Sequence, residues 1–319
     1  MKKLFVLSCA VLATLASCSN SEDVEATKSQ KEIAFNIVAD KSRAAIEGTS
    51  FSDDQVIYVS AYNSISQNYF KGVAFTKNSE GKWTGGQYWP ISGVTNFLAY
   101  AATADVTSFN PTWGTNYADG LTFTVDSFYK AESDKTPYID LLYASGEQKS
   151  EKDYSSVAMN FKHTGAWIVF NVKLAEDLAD AEVTLNKFWL TKIFKGGTLS
   201  IDNTKYPGAK AAWAFSGDAA DYLVEGFTAQ TVSKTTPYEF GVIIPEQNQT
   251  AIKFEYTLAS TAVTPAFTPQ TAVYEYPLSR FEKWEMGKKY VYNVTISFNE
   301  ITIEPSVENW TETSSDVNI

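Results

Sequence analysis

One histidine, two cysteines and 37 acidic residues bound the chemistry open to this chain of 319 residues. His163 closes the run Val157-Ala158-Met159-Asn160-Phe161-Lys162. A lone histidine can serve a Ser–His pair, but no serine here sits in a nucleophile-elbow pattern. A zinc site needs more nitrogen and sulfur ligands than these. The direct reading of His163 is a hydrogen-bonded structural residue. The carboxylates leave a glycosidase pair open on residue type alone, yet their order along the chain does not select two that face each other. Asp53, Asp54 and Glu246 fall at expected turns or strand ends, where acids are commonly solvated. Asp202-Asn203 is too thin for a calcium loop, which alternates Asp and Asn around a glycine. We therefore expect no catalytic residue, no metal and no cofactor.

The two cysteines, Cys9 and Cys18, both lie near the N-terminus. Met1-Lys2-Lys3 is a short basic start, and Leu4 to Ala16 is apolar and free of charge. That stretch has the length of a signal core and is too short to span a bilayer as a helix. It ends on Leu15-Ala16-Ser17-Cys18, which resembles the lipobox of bacterial lipoproteins. The resemblance implies that Cys18 is acylated and that Cys9 leaves with the signal peptide. Two or more acyl chains, at about 0.8 kcal/mol per buried CH₂, anchor a protein stably. The remaining chain would have no thiol, which excludes a disulfide scaffold and a cysteine nucleophile. Residues 18–32 then read as an acidic tether. Its start, Ser19-Asn20-Ser21-Glu22-Asp23-Val24-Glu25, is either a plain solvated linker or a surface-export signal of the Bacteroidetes kind.

The formal net charge is −11, and loss of Lys2 and Lys3 takes it to −13. Such a chain repels phosphate backbones, so no nucleic acid is expected as a partner. Period-two alternation dominates the rest. It is clear at 121–126, 168–174, 252–258 and 290–298, with further candidates at 33–38, 56–62, 96–101, 139–144, 157–162, 183–190, 238–244 and 272–278. Runs rich in Val, Ile, Thr, Tyr and Phe at this period are half-buried strands. Asn78-Ser79-Glu80-Gly81, Gly85-Gly86, Gly196-Gly197 and Tyr206-Pro207-Gly208 read as turns. Only 175–182 offers a short helical turn. The fold class is all-β, and many short strands with frequent turns argue for β-sandwiches. The polar run 145–153 is the best place to divide the chain, although it also suits a long hairpin loop. The eight tryptophans read chiefly as core.

Several stretches together resemble the fimbrillins of Bacteroidales, which are subunits of type V pili. They are Trp83-Thr84-Gly85-Gly86-Gln87-Tyr88-Trp89-Pro90 with Asn96-Phe97-Leu98-Ala99-Tyr100, and Asp140-Leu141-Leu142-Tyr143-Ala144 with Met159-Asn160-Phe161-Lys162-His163. Next come Trp284-Glu285-Met286-Gly287-Lys288-Lys289-Tyr290-Val291-Tyr292-Asn293-Val294, and Ile301-Thr302-Ile303 with Val307-Glu308-Asn309-Trp310. The resemblance implies two tandem transthyretin-like β-sandwich domains after a lipoprotein signal peptide. We assign 1–17 to the signal, 18–32 to the tether, 33–155 to the N-terminal sandwich and 156–319 to the C-terminal one. It also implies assembly by β-strand addition with other fimbrial subunits. An N-terminal strand is removed by an Arg-specific cut, and a strand of another subunit takes its place.

On this sequence the removable strand is Ile33-Ala34-Phe35-Asn36-Ile37-Val38, with Ile33, Phe35 and Ile37 on one side. The resemblance implies a cut between Arg43 and Ala44; on the residues alone Arg43 also reads as a surface arginine in a loop before 56–62. Arg43 and Arg280 are the only arginines. The candidate donor strand lies in 300–319, with Ile301 and Ile303 alternating with polar residues. That strand can equally belong to its own domain. The expected location is the outer membrane, cell-surface exposed through acylated Cys18, and then the fimbrium, with a host or bacterial surface ligand. The alternative is a stationary surface lipoprotein that binds glycans through exposed aromatics.

Overall fold

Val157 to His163 alternates between buried and exposed at every step, and this is the general rule by which the chain becomes strands. The computed structural model describes residues 31–39, 51, 55–65, 67–102, 109–125, 139–146, 149–150, 152–175, 181–203, 209–224, 229–232, 238–260, 269–278, 282–297 and 301–309. Cys18, Arg43, Ala44, Asp53, Asp54, the expected Tyr206-Pro207-Gly208 turn and most of the expected helical turn at 175–182 lie outside them.

Among the described residues the fold is all-β, with one short 3₁₀ turn at Tyr117–Asp119. The first strands are β1 (Glu32–Ala39), β2 (Val56–Asn63), β3 (Phe70–Lys77), β4 (Trp83–Tyr88) and β5 (Thr95–Ala102). Then come β6 (Thr112–Trp113), β7 (Leu121–Val125), β8 (Leu141–Ser145) and β9 (Val157–His163). The second half holds β10 (Gly165–Leu174), β11 (Ala181–Ile193), β12 (Gly196–Asp202), β13 (Lys210–Ser216), β14 (Ala220–Leu223) and β15 (Gln230–Val232). It ends with β16 (Tyr238–Pro245), β17 (Gln247–Asn248), β18 (Ala251–Ser260), β19 (Gln270–Pro277), β20 (Lys283–Trp284), β21 (Lys288–Ile296) and β22 (Ile301–Asn309).

Seven strands close into a barrel in the order β1-β4-β3-β2-β5-β8-β9. The other larger sheets run β16-β10-β21-β22, β14-β11-β18-β19 with β15 also on β11, and β13-β12-β7-β6. The last of these joins residues 112–125 to residues 196–216. A strand buried on both faces loses its alternation and reads as a continuous apolar run. In β5, Phe97, Ala99 and Ala101 face the barrel interior, and Leu98 and Tyr100 join the larger core outside it. In β8, Leu142 and Ala144 face in, and Leu141 and Tyr143 face out. One barrel wall therefore serves two cores.

Two glycine pairs read as turns are strand residues instead. Gly85-Gly86 lies inside β4, and Gly196-Gly197 opens β12. In both, the missing side chain serves close approach of a neighbouring strand. A Cβ on Gly197 would stand 2.4 Å from the Ala214 carbonyl oxygen of β13. A Cβ on Gly85 would stand 2.7 Å from the Ala74 carbonyl oxygen. The expected turn at Asn78–Gly81 does form, joining β3 to β4, and the Asn78 side chain accepts from the Glu80 and Lys82 N–H groups.

The larger core centres on Phe170. Its ring stacks on Tyr292 and Phe240, each at 5.2 Å, and meets Phe188 at 4.5 Å. Phe170→Ala removes this centre and is expected to cost about 3–5 kcal/mol, read by urea denaturation. Burial also raises the phenols of this core. It pushes Tyr62 up to about 12 and raises Tyr292. Both bind their proton more tightly folded than unfolded. Their contribution is therefore complete below about pH 10, the unfolded value, and is lost as pH rises through the folded values. The expected result is a melting temperature free of tyrosine effects up to about pH 10 and falling above it, together with delayed tyrosinate absorbance.

Candidate functional site

β1 is the strand on which the barrel depends for closure. It lies between β4 and β9, which are far apart in sequence. Against β9 it runs parallel, from Phe35 opposite Val157 to Ala39 opposite Phe161. Against β4 it runs antiparallel, with Glu32 opposite Tyr88 and Phe35 opposite Trp83. Both edges of β1 are thus hydrogen-bonded, and its removal would expose two unpaired sheet edges.

The side chains follow the alternation read from the sequence. Ile33 and Phe35 are 0% exposed, and Ile37 is half-buried against the same core. Phe35 is the anchor. It meets Phe75 edge-on at 5.0 Å and Phe97 at 5.3 Å. Trp89 stands edge-on to Phe97 at 5.7 Å. Phe51 meets Trp83 at 5.7 Å and Phe161 at 5.1 Å, also edge-on. Val157, Met159 and Phe161 of β9 complete the lining. Burying Ile33 and Phe35 contributes about 1.5–3 kcal/mol each. Such edge-to-face pairs add about 0.5–1.5 kcal/mol beyond the area.

The β4 side of the groove is irregular. Glu32 and Ala34 face Tyr88 and Thr84, so β4 carries extra residues over this stretch. Gly86 sits there at φ +65°, a conformation open to glycine. The bulge turns its N–H from the ladder, and the Glu32 carboxylate accepts from it at 2.9 Å. Trp89 N–H donates to the Lys31 carbonyl at 3.0 Å and holds the start of β1.

The remaining sequence candidates fall elsewhere. Ile301 and Ile303 lie in β22, paired with Ile296 and Val294 of β21, and the Ile303 side chain is buried. β22 is the outer strand of its sheet. His163 Nδ1 lies 2.9 Å from Asp140 Oδ1, with both side chains buried. Glu246 accepts from the Lys283 ammonium at 2.6 Å and from Met286 N–H at 3.2 Å. Its hydrogen bond and charge raise the Lys283 ammonium above the ordinary lysine value. Trp83, Trp89 and Trp284 are buried, and none of the described tryptophans is fully exposed. The sequence put Phe97 and Met159 on expected strands and read the tryptophans chiefly as core, but it did not bring them or Phe51 together around β1. Trp83 opens a strand containing two adjacent glycines, which hides the signal.

The chain matches the model of the family described as fimbrillin-like over residues 42–310. It is 24% identical over 378 residues to fimbrium subunit Fim1C of Phocaeicola vulgatus, covering 96% of each chain. It is 26% identical over 327 residues to a Bacteroides uniformis protein named for the same Fim1C type, covering 98% of this chain and 96% of that one. In fold it is similar to the crystal structure of a fimbrial protein from Bacteroides vulgatus, with a TM-score of 0.56, 16% identity and coverage of 88% and 99% of the two chains. With a match running from before β2 through β22, this chain belongs to the fimbrillin-like family.

Proposed function

We propose that this chain is a subunit of a surface fimbria that joins its neighbours by exchange of a β-strand. One observation carries the reading. An N-terminal strand, β1, closes the barrel with both edges bonded and its apolar side chains in pockets. Main-chain bonds supply affinity and alternate side chains supply specificity in strand addition. In this reading β1 is a placeholder. The precursor is exported, held at the outer membrane through acylated Cys18, and cut between Arg43 and Ala44. The cut separates β1 from the barrel and the barrel from its lipid. The C-terminal strand of another subunit, carrying the equivalents of Ile301 and Ile303, then fills the groove. The position of β22 at a sheet edge supports this, since a strand with one neighbour is released at lower cost than an inner one.

The role is structural and adhesive rather than catalytic, directed to a host or bacterial surface ligand. We also propose the two-sandwich organisation, with a division near residue 155. Two apolar clusters support two cores, although the larger takes in Phe109, Leu121 and Phe123 from before that division and the smaller takes in Val157, Met159 and Phe161 from after it.

Arg43→Ala is expected to leave the protein folded and lipid-bound but absent from fibres. Fractionation of cells followed by mass measurement of the membrane and fibre fractions checks this, and normal entry of the variant into fibres would refute the cut. In the uncut chain, Phe35→Ala is expected to destabilise the barrel by about 3–5 kcal/mol in urea. A loss below 1 kcal/mol would mean that β1 is not an integral barrel strand.

A further inference from the structure

The two ends of the β1 groove differ in character. At the end where β1 begins, the loops after β2 and β4 meet beside a third, before β9, in which Lys149 pairs with Asp153 at 3.7 Å. Ser64 N–H donates to the Val94 carbonyl at 2.9 Å, and Val94 N–H donates to Ser64 Oγ at 3.0 Å. Asn63 Nδ2 donates to the Ser92 carbonyl at 3.0 Å. Gly93, at φ +90°, permits the approach, because a Cβ there would lie 2.6 Å from Asn63 Oδ1. Each of these pinned loops carries an isoleucine in solvent. Ile65 is 69% exposed and Ile91 is 79% exposed. Tyr88, exposed and paired with Glu32, borders the same mouth. At the other end, the β3–β4 turn carries Glu80 and Lys82, which pair at 3.1 Å.

Polarity then decides which end matters. β1 runs parallel to β9. A strand that replaces it in the same direction, and that comes from the C-terminal end of another chain, is joined to its own body through its N-terminal end. That end lies where Glu32 lies now, beside Tyr88 and Trp89. The donating body must then stand over the isoleucine-tipped loops. Both bodies are strongly acidic: without residues 1–43 each keeps 20 basic and 32 acidic residues. Close approach therefore favours a contact without charge. A ladder alone leaves the two bodies free to swing, and an apolar contact beside its mouth fixes the joint.

We propose that Ile65, Tyr88 and Ile91 form the seat for the body of a second copy of this chain whose C-terminal strand fills the β1 groove. This rests on the strand-exchange reading above, and the test separates the two. The full chain carrying Arg280→Lys is cut by an Arg-specific protease, with and without Ile65→Ser and Ile91→Ser. Groove binding is read with a labelled synthetic peptide of residues 32–39, and self-association is read by analytical ultracentrifugation. The seat predicts peptide affinity unchanged within about twofold and self-association at least tenfold weaker in the double variant. Peptide binding with equal self-association in both proteins overturns the seat. A parent that binds peptide but never self-associates overturns the second copy as its occupant. A peptide that binds neither protein overturns strand exchange, and the seat falls with it.

Discussion

A sheet rolled into a barrel must end on a strand bonded along both edges, and here that strand is β1. The smaller core is arranged around its place. Phe75 and Phe97 come from strands on the opposite side of the ring, and they meet on Phe35. Trp83 and Phe161 come from its two neighbours, and Phe51 holds them together. The core is thus closed by a segment that precedes the other barrel strands in sequence. Without it, two sheet edges and the apolar residues that pack on Ile33 and Phe35 would lie open.

The irregular β4 side gives this closure a second property. A regular antiparallel pair would hold β1 by a full ladder. The bulge at Gly85-Gly86 interrupts the ladder and substitutes a carboxylate of β1 for a backbone acceptor. The parallel pairing with β9 is continuous over five residues. One side of the groove therefore sets register and polarity, and the other tolerates variation.

The barrel does not stand alone. β5 and β8 present apolar side chains on both faces, so the wall opposite the groove is also the edge of the larger core. Tyr100 shows the link, edge-on to Phe123 of β7 at 5.2 Å, and β7 in turn pairs with β12. The second core, built on Phe170, is anchored by pairings that do not involve β1. Loss of β1 therefore opens one core and leaves the other its full complement of strands.

The sequence by itself determined the all-β class, most of the long strands and the alternation of Ile33, Phe35 and Ile37, because period two is a local property of a half-buried strand. Family membership was legible too, from motifs spread in order along the chain. β4 and β12 were not legible, since their glycines signal close approach to a partner strand that only the fold identifies. β13 was hidden for another reason: Ala212 and Ala214 occupy its exposed side, which erases the polar half of the period. The pairing of β1 with β9, some 120 positions further on, is a long-range contact, and alternation specifies a buried face but not the neighbour across the ladder. Tertiary structure alone decided that β1 pairs with both β4 and β9 and which side chains pack against it, because each depends on bringing distant segments to one place.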